Sequence, residues 1–267
     1  MKLRSEVETR RARPLLGTIV DVCCVGSAAK VEAAFGAISK VHRLMSFHDL
    51  ASDISRLNRE ALRRTVIVDP WTWRVLKAAQ RFACESDGVF DVTAAQSSRG
   101  SWRDIVLEEN CAVRFRRRIV VDLGGIAKGF AVDGAVEALK TNRVAGGIVN
   151  AGGDIRVFGS MSRQLHLRSP VSPTQFSGTL RVRNRAVATS ATYFAPNALI
   201  NGQSRRGITS SLSVTTTAGD CMTADALTKI VFALREKAAP LLQRYRADAL
   251  IIDRDGLPAW MFQTHAA

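Results

Sequence analysis

The sequence predicts an α+β fold. Segments with helical and with strand periodicity follow one another without regular βαβ alternation, which argues against a doubly wound parallel sheet. Residues 164–217 then turn β-rich before helical periodicity returns at residue 221. The chain has 267 residues, 46% of them hydrophobic, so one large domain or two small lobes can bury a substantial core.

In chain order, "LLGTIVDVCCV" (15–25) reads as a strand entered from a polar arm. "AAKVEAAFGAISKVHRLMSF" places Val31, Phe35, Ile38, Val41 and Leu44 at helical spacing, with His42 beside that stripe on the helix surface. Ser52 and Asp53 supply a helix start, and Ile54 and Leu57 its apolar face. "PWTWRVLKAAQRFACESDG" is a helix with Pro70 in its first turn and Gly88 past its end. The stretch from Ser97 to Asp104 is polar and holds Trp102. "RRIVVDLGG" reads as a strand running into a turn, and "IAKGFAVDGAVEALKTN" as a helix with Ile126, Phe130, Val132, Val136 and Leu139 inward. "GGIVNAGGDIRVFG" is strand, glycine turn, strand. "LHLRS", "SGTLRVRN", "AVATSA" and "SLSVTTT" are strands. "CMTADALTKIVFALREKAAPLLQRY" is helical in two pieces meeting near Pro240, and "ADALIIDRDGLPAWMF" is strand, turn, strand.

Net charge is +14, from 38 Lys plus Arg against 24 Asp plus Glu, which favours anionic partners. Arg10, Arg11 and Arg13 form one cluster, and Arg114 with Arg116, Arg117 and Arg118 another; Arg181, Arg183 and Arg185 alternate along a strand and share one face. Solvated faces account for such runs, and only Phe115 interleaves them, so no stacking pattern for nucleic acid is present. Five cysteines without a Cys-x-x-Cys pair, and four scattered histidines, argue against a disulfide framework and against a transition-metal centre. The N-terminus makes a poor signal peptide and is too short in apolar length to span a bilayer. As written, the chain is expected in the cytoplasm, or in the periplasm if a leader has been removed.

Two glycine turns and one helical segment are the candidates for chemistry. "DLGGIAKG" (122–129) fits neither the Walker order nor the Gly-x-Gly-x-x-Gly spacing. Free N–H groups at a helix start still attract an anion, and Lys128 is one turn in; a tight packing turn with a solvated lysine is the other reading. "NAGGD" (150–154) suits a turn with positive φ. In "ADALTK" (224–229), Asp225 faces Thr228 and Lys229 at i+3 and i+4, as a surface ion pair or as oxygen ligands for Mg²⁺.

Taken in order, "LLGT" (15–18), "MSFHDLASDISRLN" (45–58), "GVFDVT" (88–93), "DLGGIAKGFAVD" (122–133), "GIVNAGGDIRVFG" (147–159), "AVATSA" (186–191) and "ADALT" (224–228) resemble the FAD:protein FMN transferases of the ApbE family. The resemblance implies a two-lobed mixed α/β fold with FAD in a central cleft and Mg²⁺ at the pyrophosphate. It implies transfer of FMN to a Thr or Ser hydroxyl of a target flavoprotein, with release of AMP. On this reading residues 1–13 are a basic arm and residues 14–267 a single two-lobed catalytic domain. The resemblance assigns cofactor contacts to Leu16, His48, Val89, Phe90, Asp91, Asp122, Gly124, Lys128, Asn150, Gly152, Gly153 and Ile200. It assigns the metal to Gly125, Asp225 and Thr228, and the catalytic roles to Asp225 and Lys128.

Departures accompany it. Leu16 and His48 stand where the family has methionine and tyrosine, and Lys229 stands where many members have threonine. "ALING" (198–202) lacks the histidine and acid of the family's His-x-Ile-Asp-Pro. Two alternatives follow: a protein that binds or hydrolyses FAD without transferring FMN, and, from charge alone, a basic nucleic-acid-binding module. No stable nucleic-acid partner and no membrane span are expected. Lys229 is expected to replace part of the metal's charge beside Asp225.

Overall fold

A computed structural model describes residues 8–95, 100–172, 174–191, 199–208 and 210–264. The chain opens with β1 (Glu8–Leu15) and β2 (Thr18–Val25), paired antiparallel across a turn at Leu16 and Gly17. The described part of the expected basic arm is therefore an edge strand. Its arginines and Pro14 are exposed along that edge, a sequence that discourages pairing with another chain.

α1 (Ala28–Met45) buries Val31, Phe35, Ile38 and Val41 of the stripe read from its periodicity, leaves Leu44 half-buried against the core, and adds Ala34 and Met45. His42 does more than decorate its surface: its Nδ1 accepts the Leu16 N–H at 3.1 Å, tying the helix to the first turn. α2 (Asp53–Glu60) starts at Ser52, whose hydroxyl accepts the Ser55 N–H, and buries Ile54 and Leu57. β3 (Val66–Ile67) leads to α3 (Pro70–Glu85), capped by Asp69 with Pro70 at its start; Gly88 follows with φ +78°. After a 3₁₀ turn at Trp102–Asp104 come β4 (Ile105–Leu107) and β5 (Ala112–Phe115), and these form a small sheet in the order β3-β5-β4.

The expected strand at "RRIVVDLGG" is absent. Ile119, Val121 and Leu123 are buried, but their segment joins no ladder. Instead the Asn58 side chain serves Val121 as a strand neighbour would: its amide donates to the Val121 carbonyl at 2.9 Å, and its oxygen accepts the Val121 N–H at 2.8 Å. The apolar run meets the burial that makes a strand, and a side chain satisfies its backbone.

α4 (Ala127–Thr141) follows, then the hairpin of β6 (Gly146–Ala151) and β7 (Asp154–Gly159). Its turn holds Gly152 at φ +65° and Gly153 at φ +101°, as the sequence predicts. β8 (Ser162–Arg168) and β9 (Phe176–Arg183) make a separate two-stranded sheet, with Val182 of β9 packed with Val157 and Val187. Arg185 lies beyond β9, past Asn184 at φ +49°, and pairs with Asp248 at 3.5 Å. It does not share the face of Arg181 and Arg183, because the strand has already ended.

β10 (Ala186–Ala191), the short pair β11 (Ile200–Asn201) and β12 (Arg206–Gly207), and β13 (Ser213–Ala218) come next. α5 (Cys221–Leu234) breaks at Arg235, φ +55°, into a 3₁₀ turn, and α6 (Ala239–Arg244) begins with Pro240 in its first turn. β14 (Asp248–Ile252) and β15 (Pro258–Phe262) close the chain.

The main sheet has eight strands in the order β1-β2-β6-β7-β10-β13-β14-β15, each neighbouring pair antiparallel. α4 packs against α1 and α5, and α5 packs against β10 and β13. One contiguous core joins this assembly to α2, α3 and the small sheet. α5 is thereby buried on almost every side, from Cys221 to Thr228 without interruption. No helix among the described residues is long and apolar enough to cross a membrane.

A cleft built on paired lysines and aspartates

The turns read from the sequence converge on one cleft of about 1070 Å³. That lies at the top of the range of roughly 300–1,000 Å³ for small-molecule sites. Its walls include Val89, Phe90 and Asp91, then Asp122, Gly124, Gly125 and Lys128, then Asn150, Gly152 and Gly153, with Ile200 and Lys229. Leu16 and His48 are not among them. Leu16 sits in the β1–β2 turn at φ +56°, and His48 is exposed, edge-on to the Phe47 ring. Ala198, one of the departures read from the sequence, lies outside the described residues.

The first wall follows α3. Phe90 packs edge-on against Phe82 at 6.1 Å and presents its ring to Gly125, where an added Cβ would meet it at 3.5 Å. Asp91 serves the loop itself. It accepts the Thr93 N–H at 2.8 Å and the Trp102 N–H at 3.3 Å, with Arg205 at 3.5 Å. Burial raises its carboxyl above the ordinary value, against the pull of those donors. The β11–β12 segment lies on this wall: the Gly202 N–H donates to the Val89 carbonyl, and a Cβ on Gly202 would stand 2.2 Å from the Gly88 carbonyl oxygen.

The second wall is the turn into α4. The Asp122 N–H donates to the Val92 carbonyl at 2.8 Å, and its carboxylate accepts the Gly124 N–H at 2.8 Å. The Asn150 side chain accepts the Gly153 N–H at 3.0 Å, holding the third wall. Gly152 lies against Thr18, so close that a Cβ would stand 2.5 Å from the threonine hydroxyl.

Behind these turns lies a buried cluster. Lys128 pairs with Asp154 and stands 4.0 Å from Asp225 Oδ2. Lys229 pairs with Asp225 Oδ1. Asp225 is wholly buried, and its Oδ2 also accepts the Gly129 N–H at 3.1 Å. An exposed ion pair on a helix surface is therefore excluded: α5 is covered where Asp225 sits. A buried carboxylate needs such partners, since an unpaired one is strongly disfavoured. Burial pulls the Lys128 ammonium toward deprotonation, but Asp225 and Asp154 outweigh it and hold it charged. Thr228 is equally buried, and its hydroxyl donates to the Asp225 carbonyl at 2.8 Å and meets the Ser190 hydroxyl at 2.7 Å.

Sequence reasoning missed two members of this arrangement. Asp154 closes the Asn-Ala-Gly-Gly-Asp turn, and its residue type there was the available signal. Asp133, in α4, accepts the Cys221 and Met222 N–H groups at 2.8 Å each and pairs with Arg156 at 2.5 Å. It anchors the start of α5 and so places Asp225.

Residues 16–100 and 94–251 match the ApbE family. The chain is 23% identical, over 85% of its own length and 83% of the relative's, to the FAD:protein FMN transferase of Klebsiella pneumoniae (strain 342). Among solved structures, the ApbE protein of Thermotoga maritima superposes with a TM-score of 0.85 at 23% identity, covering 97% of each chain. The apo flavinyl transferase ApbE of Pseudomonas stutzeri gives 0.82 at 18% identity, covering 99% of this chain and 96% of that one. The flavin transferase ApbE of Vibrio cholerae gives 0.81 at 20% identity, covering 96% of each. The expected mixed helix-and-sheet fold of the ApbE flavin-transferase type is borne out by this likeness.

Proposed function

The chain belongs to the ApbE family, and on that footing we propose that it is an FAD:protein FMN transferase, moving FMN from FAD to a Ser or Thr hydroxyl of a target flavoprotein. The observation that carries this reading is the Lys128–Asp154–Asp225–Lys229 cluster, set behind the glycine turns of a cleft large enough for a dinucleotide. The acceptor oxygen attacks the phosphorus on the FMN side. The new P–O bond forms as the bond to the bridging oxygen breaks, its electron pair leaves with AMP, and the hydroxyl proton passes to a base. Charge in such a transition state spreads over the phosphoryl oxygens, so catalysis is mainly positioning and electrostatic stabilisation. Lys128 and Lys229 both reach the cleft and supply positive charge there. Phe90 offers an aromatic edge, and the Gly124–Gly125 turn lets an anion approach the backbone.

The Mg²⁺ implied by the resemblance does not fit the residues as they are packed. The Asp225 carboxylate oxygens are engaged by Lys229, by the Gly129 N–H and by nearby Lys128. The Thr228 hydroxyl is spent on Ser190 and on a backbone carbonyl. Mg²⁺ asks for near-octahedral oxygen coordination, and the two side-chain donors assigned to it are bound elsewhere.

The reading is tested by incubating the protein with FAD and candidate flavoproteins carrying exposed Ser or Thr residues. In-gel flavin fluorescence of the acceptor with stoichiometric AMP is expected. Tight FAD binding without AMP would overturn it, and free FMN regardless of acceptor would assign hydrolysis instead.

A further inference from the structure

We propose that the Lys229 ammonium occupies the place of the divalent cation, so that the FAD site of this chain works without a divalent metal. The inference rests on the transferase reading for its substrate, but its cation site stands on geometry alone. The Lys229 side chain spans two of the three places assigned to the metal, Asp225 and Gly125. Its Nζ pairs with Asp225 Oδ1, and its Cε lies 3.9 Å from where a Cβ on Gly125 would stand. It is also part of the cleft wall, with 19% of its side chain exposed, so it borders the space a ligand would fill.

The charge balance agrees. Lys128 and Lys229 face Asp154 and Asp225, two positive groups against two negative ones. A divalent cation placed on Asp225 would sit beside two ammonium groups and meet like-charge repulsion in a poorly screened site. The oxygen donors point the same way, since Thr228 faces Ser190 on β10. A lysine is a compact phosphate-binding charge with three donors, suited to pyrophosphate oxygens.

The test uses the full chain, FAD and Mn²⁺ as the metal probe. FAD affinity is followed by flavin fluorescence in EDTA and in Mg²⁺, and bound Mn²⁺ by electron paramagnetic resonance. The wild type is expected to bind FAD equally, within about twofold, in both media and to hold no stoichiometric Mn²⁺. Lys229→Thr is expected to lose at least about tenfold in FAD affinity in EDTA, to regain it in Mg²⁺, and to bind one Mn²⁺. Lys229→Arg, which keeps the charge, is expected to remain indifferent to EDTA. One Mn²⁺ bound tightly by the wild type, or loss of its FAD binding in EDTA with recovery in Mg²⁺, overturns the proposal, and neither result depends on whether a variant folds. If the wild type binds no FAD in either medium, the transferase reading fails. The Mn²⁺ titration of the free chain then decides the cation site by the same criterion.

Discussion

Asp225 shows how much hangs on one buried carboxylate. It holds Lys229, steadies Lys128 and accepts a backbone N–H from α4. Replacing it by alanine strands the Lys229 ammonium and leaves Lys128 with Asp154 alone, and breaking a buried pair by removing one partner costs about 3–5 kcal/mol. The loss is expected toward the lower end, because Lys229 reaches the cleft and its water. Urea unfolding of Asp225→Ala checks this, and adding Lys229→Met is expected to restore part of the loss by removing the orphaned charge. If the double variant is no more stable than the single one, stranded charge is not the cause. The cysteines give a second prediction at this scale. Cys23 is buried and donates to the Glu8 carboxylate, and burial, with that carboxylate, pushes its thiol up to about 11. At pH 8 roughly one thousandth of it is thiolate, and only as the pH climbs toward 11 does the reactive form accumulate. Iodoacetamide at pH 8 is expected to label exposed Cys84 and to leave Cys23, Cys24 and Cys221 untouched, as read by peptide mass spectrometry.

The elements repeat this lesson through backbone contacts. α4 and α5 approach so closely that a Cβ on Gly129 would stand 2.3 Å from the Cys221 carbonyl oxygen and 2.8 Å from the Asp225 Cβ. Neither neighbour is a flexible tip, so Gly129→Ala must push the helices apart. A cost of about 1–3 kcal/mol is expected from such overpacking, seen as a lower denaturant midpoint together with weaker FAD binding. The segment before Asp122 has a different support. Asn58→Ala leaves the Val121 N–H and carbonyl buried without partners, at about 2–6 kcal/mol for the two groups. Hydrogen exchange at Val121 is expected to accelerate in that variant, while exchange in the distant β13–β14 pair changes less. The contrast between these sites explains what was legible. Helical stripes such as Val31–Phe35–Ile38 and the Gly152–Gly153 turn are local patterns, and both came out as read. The run Ile119–Leu123 has the composition of a strand, but its partner is the Asn58 side chain, 63 residues away, and no local pattern encodes that. The same limit hid the burial of Asp225, which depends on what covers α5.

At the scale of the whole molecule, order along the chain was more informative than any single motif. Each glycine turn alone left a packing turn and an anion turn open, and the ordered set pointed to one cleft, which the fold assembles from residues 89–91, 122–128 and 150–153. The flavin contacts expected at Leu16 and His48 lay within two of the ordered segments but where the family's methionine and tyrosine are replaced, and neither residue lines the cleft. Charge is the other property of the whole chain. The excess of +14 is far more than the cleft uses. Much of it is exposed, and Arg10 on β1 and the exposed Arg168 on β8 line the cleft wall, whereas Arg11 and Arg13 alternate onto the other face of β1, where Arg13 pairs with Glu32. On the proposed transferase reading, basic side chains at the cleft mouth steer an acidic acceptor toward it, and such steering weakens as salt shortens the screening length. With FAD saturating, so that only the encounter with the acceptor is read, kcat/KM for an acidic acceptor is expected to fall about tenfold between roughly 0.05 and 0.5 M salt. The turnover at saturating acceptor should change little, because the chemical step occurs inside the cleft. Charge reversal at Arg168, by Arg168→Glu, should lower kcat/KM in the same direction and flatten its salt dependence. A salt response seen in turnover rather than in kcat/KM would place the charge effect inside the cleft, and the basic rim would then have no part in choosing the acceptor.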